Sequence, residues 1–230
     1  MIFDVDGTLV DSTDFHVEAW QRAFARYGKH VTREAIHAQI GKGGDQLMPV
    51  FLAPEELERH AQALERYRVE LVLTEYLPRV QPFPGVRRLF ERIKRNGMRI
   101  VLATSAKAKE LECHLQTLEV RDLIDGMTSA DDAPHSKPCP DIFQAALALA
   151  HDVRPQDAIV VGDTPYDAQA AGRAGMRCIA VLSGHFPEGE LRASGAIAVY
   201  RDVADLGEHY DATPFATPRV ADAANDPAQP

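Results

Sequence analysis

Residues 158–182 read AIVVGDTPYDAQAAGRAGMRCIAVL. The opening run Ala158–Gly162 (AIVVG) is continuously apolar and of strand length, Tyr166–Ala174 has helical character and ends at Gly175, and Arg177–Leu182 (RCIAVL) is a second apolar run. Strands that are apolar without alternation and are joined by a helix belong to a parallel sheet covered on both faces. The same rhythm extends upstream. Helix Val86–Asn96 ends at Gly97, and strand Met98–Thr104 (MRIVLAT) is followed by helix Lys107–Leu118. A short strand near Gly126–Thr128 precedes helix Asp141–Ala150, and the chain opens on a short buried strand, Met1–Val5. The fold class read from this pattern is α/β, a doubly wound parallel sheet.

One block breaks the alternation. From Asp14 to Tyr76 the pattern is helical throughout: Ala19, Trp20, Ala23, Phe24 and Tyr27 recur at helical spacing until Gly28 stops them, and Thr32 caps a second helix running to about Ile40. Gly41, Gly43 and Gly44 punctuate, a short helix follows to Leu52, and Pro54 opens a long helix to about Tyr76. Pro78, Pro82, Pro84 and Gly85 form a linker. The expected organisation is an α/β core from 1–13 and 82–206, a helical block with linker at 14–81, and a disordered tail at 207–230, where four prolines and many alanines leave little to bury.

The 230 residues, 45% hydrophobic and 26% charged, are ordinary for a globular chain able to bury a core without staples. Twenty-five Lys and Arg against 34 Asp and Glu give a net charge of −9, which speaks against a nucleic-acid partner. No apolar run reaches membrane length and no signal segment opens the chain, so no membrane partner is expected. Cys113, Cys139 and Cys178 are unpaired by spacing, which suggests a reducing, cytoplasmic setting without structural zinc. A monomer or a homodimer fits equally well.

Four polar features follow strand ends: Asp4-Val5-Asp6-Gly7-Thr8, Thr104-Ser105, Lys137-Pro138, and Gly162-Asp163-Thr164-Pro165-Tyr166-Asp167. Parallel sheets bind ligands outside the carboxyl ends of their strands, so the four nominate one site. Each has an ordinary alternative. Asp4 and Asp6 leave one face of an extended chain, yet Asp-Gly is a common turn. An EF-hand loop is ruled out because its sixth position would be Leu9. Thr104 and Ser105 can bind an anion or cap a helix, and Asp163 can cap one. Lys137 alone reads as solvated surface. Jointly, clustered acids need a hard divalent cation, and all-oxygen donors suit Mg²⁺. A nucleophilic carboxylate, a second acid, a metal and a lysine together match phosphoryl transfer through an aspartyl-phosphate.

The run Phe3-Asp4-Val5-Asp6-Gly7-Thr8-Leu9-Val10-Asp11-Ser12, with the hydroxyl, Lys-Pro and GDxxxD motifs in order, resembles the haloacid dehalogenase-like hydrolase superfamily, in its phosphatase and phosphoglucomutase-like branch. The resemblance runs from Met1 to about Leu206 and implies a core with strand order 3-2-1-4-5 and a mobile helical cap at 14–81. It implies Asp4 as nucleophile and Asp6 as acid and base. Mg²⁺ would be held by Asp4, the Asp6 backbone carbonyl and Asp163, with Asp167 orienting Lys137 or a metal-bound water. Thr104 and Ser105 would bind the phosphoryl group, and Lys137 would neutralise its charge. Only three residues precede Asp4, fewer than the family's first strand usually has, which implies a short strand or a longer native N-terminus.

Asp6 sets the chain apart from the dehalogenases themselves, which lack an acid there. Two readings remain: a phosphatase of a small phosphorylated metabolite (phosphoglycolate-like or sugar phosphate), or a β-phosphoglucomutase-like mutase. His16 and Trp20 match the mutase pattern. Ile40-Gly41-Lys42-Gly43-Gly44-Asp45 departs from it, since mutases place an arginine shortly after the glycine. Lys42 and Gly43 could contact a phosphate there, though not bidentately. The phosphatase is the preferred reading. His16 reads equally as a surface histidine; the Gly41–Gly44 glycines could form a plain turn, but a substrate-facing loop is their preferred reading. A phosphate- or partner-binding protein without turnover is the third reading.

Overall fold

The computed structural model describes residues 1–213 and residue 215. In chain order the elements begin with β1 (Ile2–Phe3), β2 (Val10–Asp11), α1 (Thr13–Arg26), α2 (Arg33–His37), α3 (Gly44–Phe51), α4 (Pro54–Leu71) and β3 (Gln81–Pro82). Next come α5 (Val86–Arg95), β4 (Val101–Ala103), α6 (Ala108–Leu118), β5 (Gly126–Thr128), α7 (Asp141–Leu149) and β6 (Ile159–Gly162). The last are α8 (Pro165–Arg173), β7 (Arg177–Val181), α9 (Glu188–Ala193), β8 (Ala196–Tyr200) and α10 (Val203–Glu208).

Six strands form one parallel sheet in the order β5-β4-β1-β6-β7-β8. This is the expected 3-2-1-4-5 order extended by a sixth strand at the edge. Successive residues bury on opposite faces: Phe3, Val161 and Ile179 belong to one apolar cluster, and Ile2, Val160 and Cys178 to the other. That arrangement explains why these strands read as unbroken apolar runs. The order reverses direction at β1, so the crevice beyond the ends of β1, β4 and β6 is the topological switch point.

The helices α1 to α4 pack on one another around Trp20, Phe24, Ile36, Leu47 and Leu64, a cluster separate from the two on the sheet. Local rules set their limits. Thr32 Oγ1 accepts from Ala35 N at 3.2 Å to cap α2, and α4 begins on a proline and runs on into a π-helical turn at Val72–Tyr76. Entry to and exit from this insert are tied together, because β2 and β3 pair antiparallel with Val10 opposite Pro82.

The tail expected from Gly207 does not begin there. α10 reaches Glu208, and the following turn buries Tyr210 completely against the α5 side of the sheet. Asn96 Nδ2 donates to its hydroxyl at 3.1 Å, Arg92 lies 4.5 Å over its ring, and Phe215 meets it edge-on. The remainder of the expected tail lies outside the described residues. Tyr210→Ala is accordingly expected to lower stability by about 3–5 kcal/mol, the range for emptying a buried aromatic site. Urea unfolding checks this, and an unchanged midpoint would restore the tail reading. Among the described residues, no helix is long and apolar enough to cross a membrane. Cys113, Cys139 and Cys178 are free thiols.

Candidate active site

The first strand delivers Asp4, whose N–H still donates to Val161 O at 2.9 Å, and the chain then turns sharply through Gly7. Gly7 has φ +75°, and a Cβ there would lie 2.2 Å from Asp163 Oδ2. Only glycine allows both the turn and this approach. The end of β6 supplies Asp163. Thr164 and Asp167 then start α8 with a reciprocal cap, in which Thr164 N donates to Asp167 Oδ2 at 3.0 Å and Asp167 N to Thr164 Oγ1 at 3.3 Å.

Lys137 joins these pieces. Its Nζ donates to Asp4 Oδ1 at 2.7 Å and to Asp167 Oδ1 at 2.8 Å, and only 1% of the residue is exposed. An ammonium buried this deeply needs such partners. Burial alone would lower the pKa of Lys137, but Asp167 and Asp4 outweigh it and hold the ammonium charged. Asp4 moves the other way: burial raises it to about 7, with Lys137 opposing and Asp167 assisting. Burial likewise pushes Asp163 well above the carboxylate range, with Asp4 and Asp167 adding to the effect.

Asp4, Asp163 and Asp167 each bring one oxygen to within 4.8 Å of the others. Asp163 Oδ1 accepts from Thr8 at 2.8 Å, whereas Oδ2 is buried with no hydrogen-bond partner. The cradle around Oδ2 is closed by Gly7 and Gly184, at either of which a Cβ would collide with it. Three buried carboxylates facing one lysine, with an orphaned oxygen among them, fit a hard divalent cation such as Mg²⁺. Asp167 has both oxygens engaged, by Lys137 and Thr164, so Asp4 and Asp163 are the better placed donors. The Asp6 carboxylate lies outside this group.

Asp6 faces the insert instead. Its Oδ1 accepts from Ser12 Oγ and meets His16 Nε2, each at 2.8 Å, and Oδ2 accepts from Thr104 Oγ1 at 3.2 Å. His114 Nε2 also lies 3.0 Å from Oδ1, although too far off line for a hydrogen bond. Burial raises Asp6, but His114 and His16 outweigh it and hold the carboxyl well below its usual range. His114 is raised in turn, because Asp6 overcomes the effect of burial.

The remaining positions singled out in the sequence surround one cavity of about 50 Å³, lined by Asp4, Asp6, Lys137 and Thr104 from the sheet and His16 and Lys42 from the insert. Ser105 Oγ donates to Gly41 O at 3.3 Å, and Gly43 N donates to Ser136 Oγ at 2.9 Å. Asp45 accepts from Ser136 N at 3.1 Å and from its hydroxyl, beside Lys137. The insert thus touches both the hydroxyl and the lysine loops. At Gly43 a Cβ would fall 2.6 Å from Ser136 Oγ. Gly43→Ala is expected to keep the melting temperature close to wild type while reducing kcat/KM by on the order of 10²-fold, since displacements near 1 Å misalign reacting groups. Steady-state kinetics beside a thermal melt test this; unchanged kinetics would contradict it.

Sequence reasoning passed over His114, Arg68 and Glu110. Glu110 and His114 sit four apart on α6, both buried beside Leu111 and Leu115, so two titratable residues on an apolar face were the available signal. Arg68 of α4 pairs with Glu110 at 3.1 Å across 42 residues, which no local pattern announces.

A family model described as haloacid dehalogenase-like hydrolase matches residues 1–181. A fructose-1-phosphate phosphatase of Escherichia coli is 30% identical over 183 residues, 79% of this chain and 95% of that protein. A phosphoglycolate phosphatase of Pseudomonas aeruginosa is 31% identical over 196 residues, covering 80% and 70% of the two chains. The crystal structure of a hydrolase from Pseudomonas syringae superposes with a TM-score of 0.84 at 29% identity, over 92% of this chain and 97% of that one.

Proposed function

The chain belongs to the haloacid dehalogenase-like hydrolase family, and from that premise we propose that it is a Mg²⁺-dependent phosphatase of a small phosphorylated metabolite, working through an aspartyl-phosphate in the cytoplasm. The observation that carries this is the Asp4–Lys137–Asp167 arrangement beside Asp6: a buried carboxylate held by an ammonium, with a second carboxylate outside the cation cluster. Asp4 attacks phosphorus, an Asp4 O–P bond forms, and the ester P–O bond breaks. The leaving oxygen takes a proton from Asp6, which His114 and His16 hold well below its usual range in this structure and which must therefore take up a proton as the substrate binds. Asp6 then removes a proton from water, the water oxygen forms a bond to phosphorus, and the Asp4–phosphorus bond breaks to release phosphate. Lys137 offsets the charge on Asp4 and the phosphoryl oxygens throughout. Mg²⁺, held by Asp4, Asp163 and the Asp6 carbonyl, would neutralise phosphoryl charge.

The insert acts as a cap whose Gly41–Asp45 segment closes on Ser105 and Ser136. The relatives named as phosphatases support the reading. The test is Mg²⁺-dependent phosphate release across a panel of phosphorylated metabolites. Release that persists in chelator would overturn the metal requirement, and no release from any ester would overturn the function. Against the mutase alternative stands the state of Arg68. This arginine of the cavity wall is bound by Glu65 and Glu110 rather than free to grip a second phosphate. Conversion of a hexose 1-phosphate to the 6-phosphate after priming with bisphosphate would reverse that preference.

A further inference from the structure

The insert meets the α/β core through two kinds of contact. Several are hydrogen bonds between neutral groups, such as Gly43 N to Ser136 Oγ at 2.9 Å and Ser105 Oγ to Gly41 O at 3.3 Å. Such bonds are exchanged for bonds to water at little net change in free energy. The second kind is ionic. Arg68 of α4 donates through Nη1 to Glu110 Oε2 of α6 at 3.1 Å and through Nη2 to Glu110 Oε1 at 3.3 Å. Among the described residues, ion pairs join insert to core at His16–Asp6 and at Arg68–Glu110, and only the second is built on a base that is always charged. Both of its partners are out of water, with Arg68 5% exposed and Glu110 0%.

The cavities show that the insert must lift before a ligand can enter. The one beside Asp4 measures about 50 Å³, room for a few waters, and its neighbour sharing Gly43, Gly44, Thr104 and Ser105 measures about 180 Å³. Ligand sites usually begin near roughly 300 Å³. Each passage of a ligand therefore parts Arg68 from Glu110 and rejoins them. The guanidinium is preset for this, because Nη2 also donates to Glu65 Oε1 at 2.8 Å on its own helix. The energetics of such a pair are lopsided. Attraction between two buried ions is largely offset by the water they give up, so an intact pair favours the closed state only slightly. With one partner missing, the remaining buried charge is strongly unfavourable.

We propose that the Arg68–Glu110 pair is the catch that makes closure of the insert all-or-none: it is satisfied when wet in the open state and when paired in the closed state, and it penalises every position between. The amide of Gly43 reports closure directly, because its acceptor Ser136 belongs to the core. The amide of Asp4, bonded to Val161 O within the core, is the reference. The experiment is amide hydrogen exchange on the full chain without substrate. Glu110→Gln keeps an oxygen for Arg68 but removes its countercharge. This variant is expected to lower the protection of Gly43 by at least about tenfold and to leave Asp4 within about twofold. Arg68→Met combined with Glu110→Leu removes both charges and is expected to return Gly43 to wild-type protection or beyond. Unchanged protection of Gly43 in Glu110→Gln overturns the proposal. So does a loss shared equally by Asp4, which would mark the pair as a support of the whole fold. A double variant as unprotected at Gly43 as the single one also overturns it, since the unpaired charge would then not be the cause. If Glu110→Gln does not fold, Glu110→Asp decides the matter. It keeps the charge, withdraws it by one methylene, and is expected to lower Gly43 protection by about threefold, with no change counting against the catch. None of these readouts involves turnover, so the proposal stands or falls separately from the phosphatase reading.

Discussion

Asp4→Asn is expected to lower kcat for phosphate release by at least about 10⁴-fold, the scale of losing a nucleophile that forms a covalent intermediate. An amide of the same shape keeps an oxygen for Lys137 but cannot attack phosphorus. The fold is expected to survive, because Lys137 retains its 2.8 Å bond to Asp167. Stability is expected to move the opposite way from activity in metal-free protein. The folded-state value of Asp4, about 7, lies above the ordinary 3.8, so the folded protein holds this proton more tightly than the unfolded chain does. The stability it contributes is full below about pH 4 and is lost as the pH rises through about 7. Melting temperatures in chelator at pH 5 and pH 8 should therefore differ more for wild type than for Asp4→Asn. Undiminished phosphate release in the variant would sink the mechanism, and equal pH sensitivity would sink the electrostatic account.

The second large effect is expected at Asp163. A saturating divalent cation at about 100 times its Kd stabilises the folded protein by about 2.7 kcal/mol, which is about 5–10 °C for a domain of this size. Asp163→Asn is expected to abolish that Mg²⁺-induced rise, because the orphaned Oδ2 is the oxygen most available to a cation. In chelator at high pH the same variant is expected to melt at or above the wild-type temperature, since it removes one of three acids that repel one another within 4.8 Å once ionised. Thr8 keeps an acceptor in the amide oxygen. A full Mg²⁺ response in the variant would place the cation elsewhere.

The strands were legible because burial on both faces leaves an unbroken apolar signature, as in Ile159–Gly162. The edge strand Ala196–Tyr200 was not, because its outer side is half-exposed and its residues alternate weakly. The convergence of Asp4, Lys137, Asp163 and Asp167 could be anticipated, since each follows a strand end and parallel sheets gather those ends. The surroundings of Asp6 could be anticipated only in part. Ser12 and His16 are close in sequence, whereas His114 arrives on a helix 108 residues beyond Asp6 along the chain. The Arg68–Glu110 pair joins insert to sheet layer through side chains 42 residues apart, and Tyr210 was hidden by the proline- and alanine-rich composition around it.

The central position of β1 has a consequence for how the chain is made. Ile2 pairs with Val101 on one side and with Val160 on the other. β1 leaves the ribosome well before either neighbour and is thus among the later strands to be completed, its partners arriving 99 and 158 residues after it. At about 5–20 residues per second, that is about 8–30 s of synthesis before both neighbours exist. The four helices of the insert, built on local contacts, emerge within that interval and can collapse first. Until β6 emerges, the motif that bears Asp4 hangs from an unfinished sheet, so the proposed nucleophile is set in place only as β6 docks.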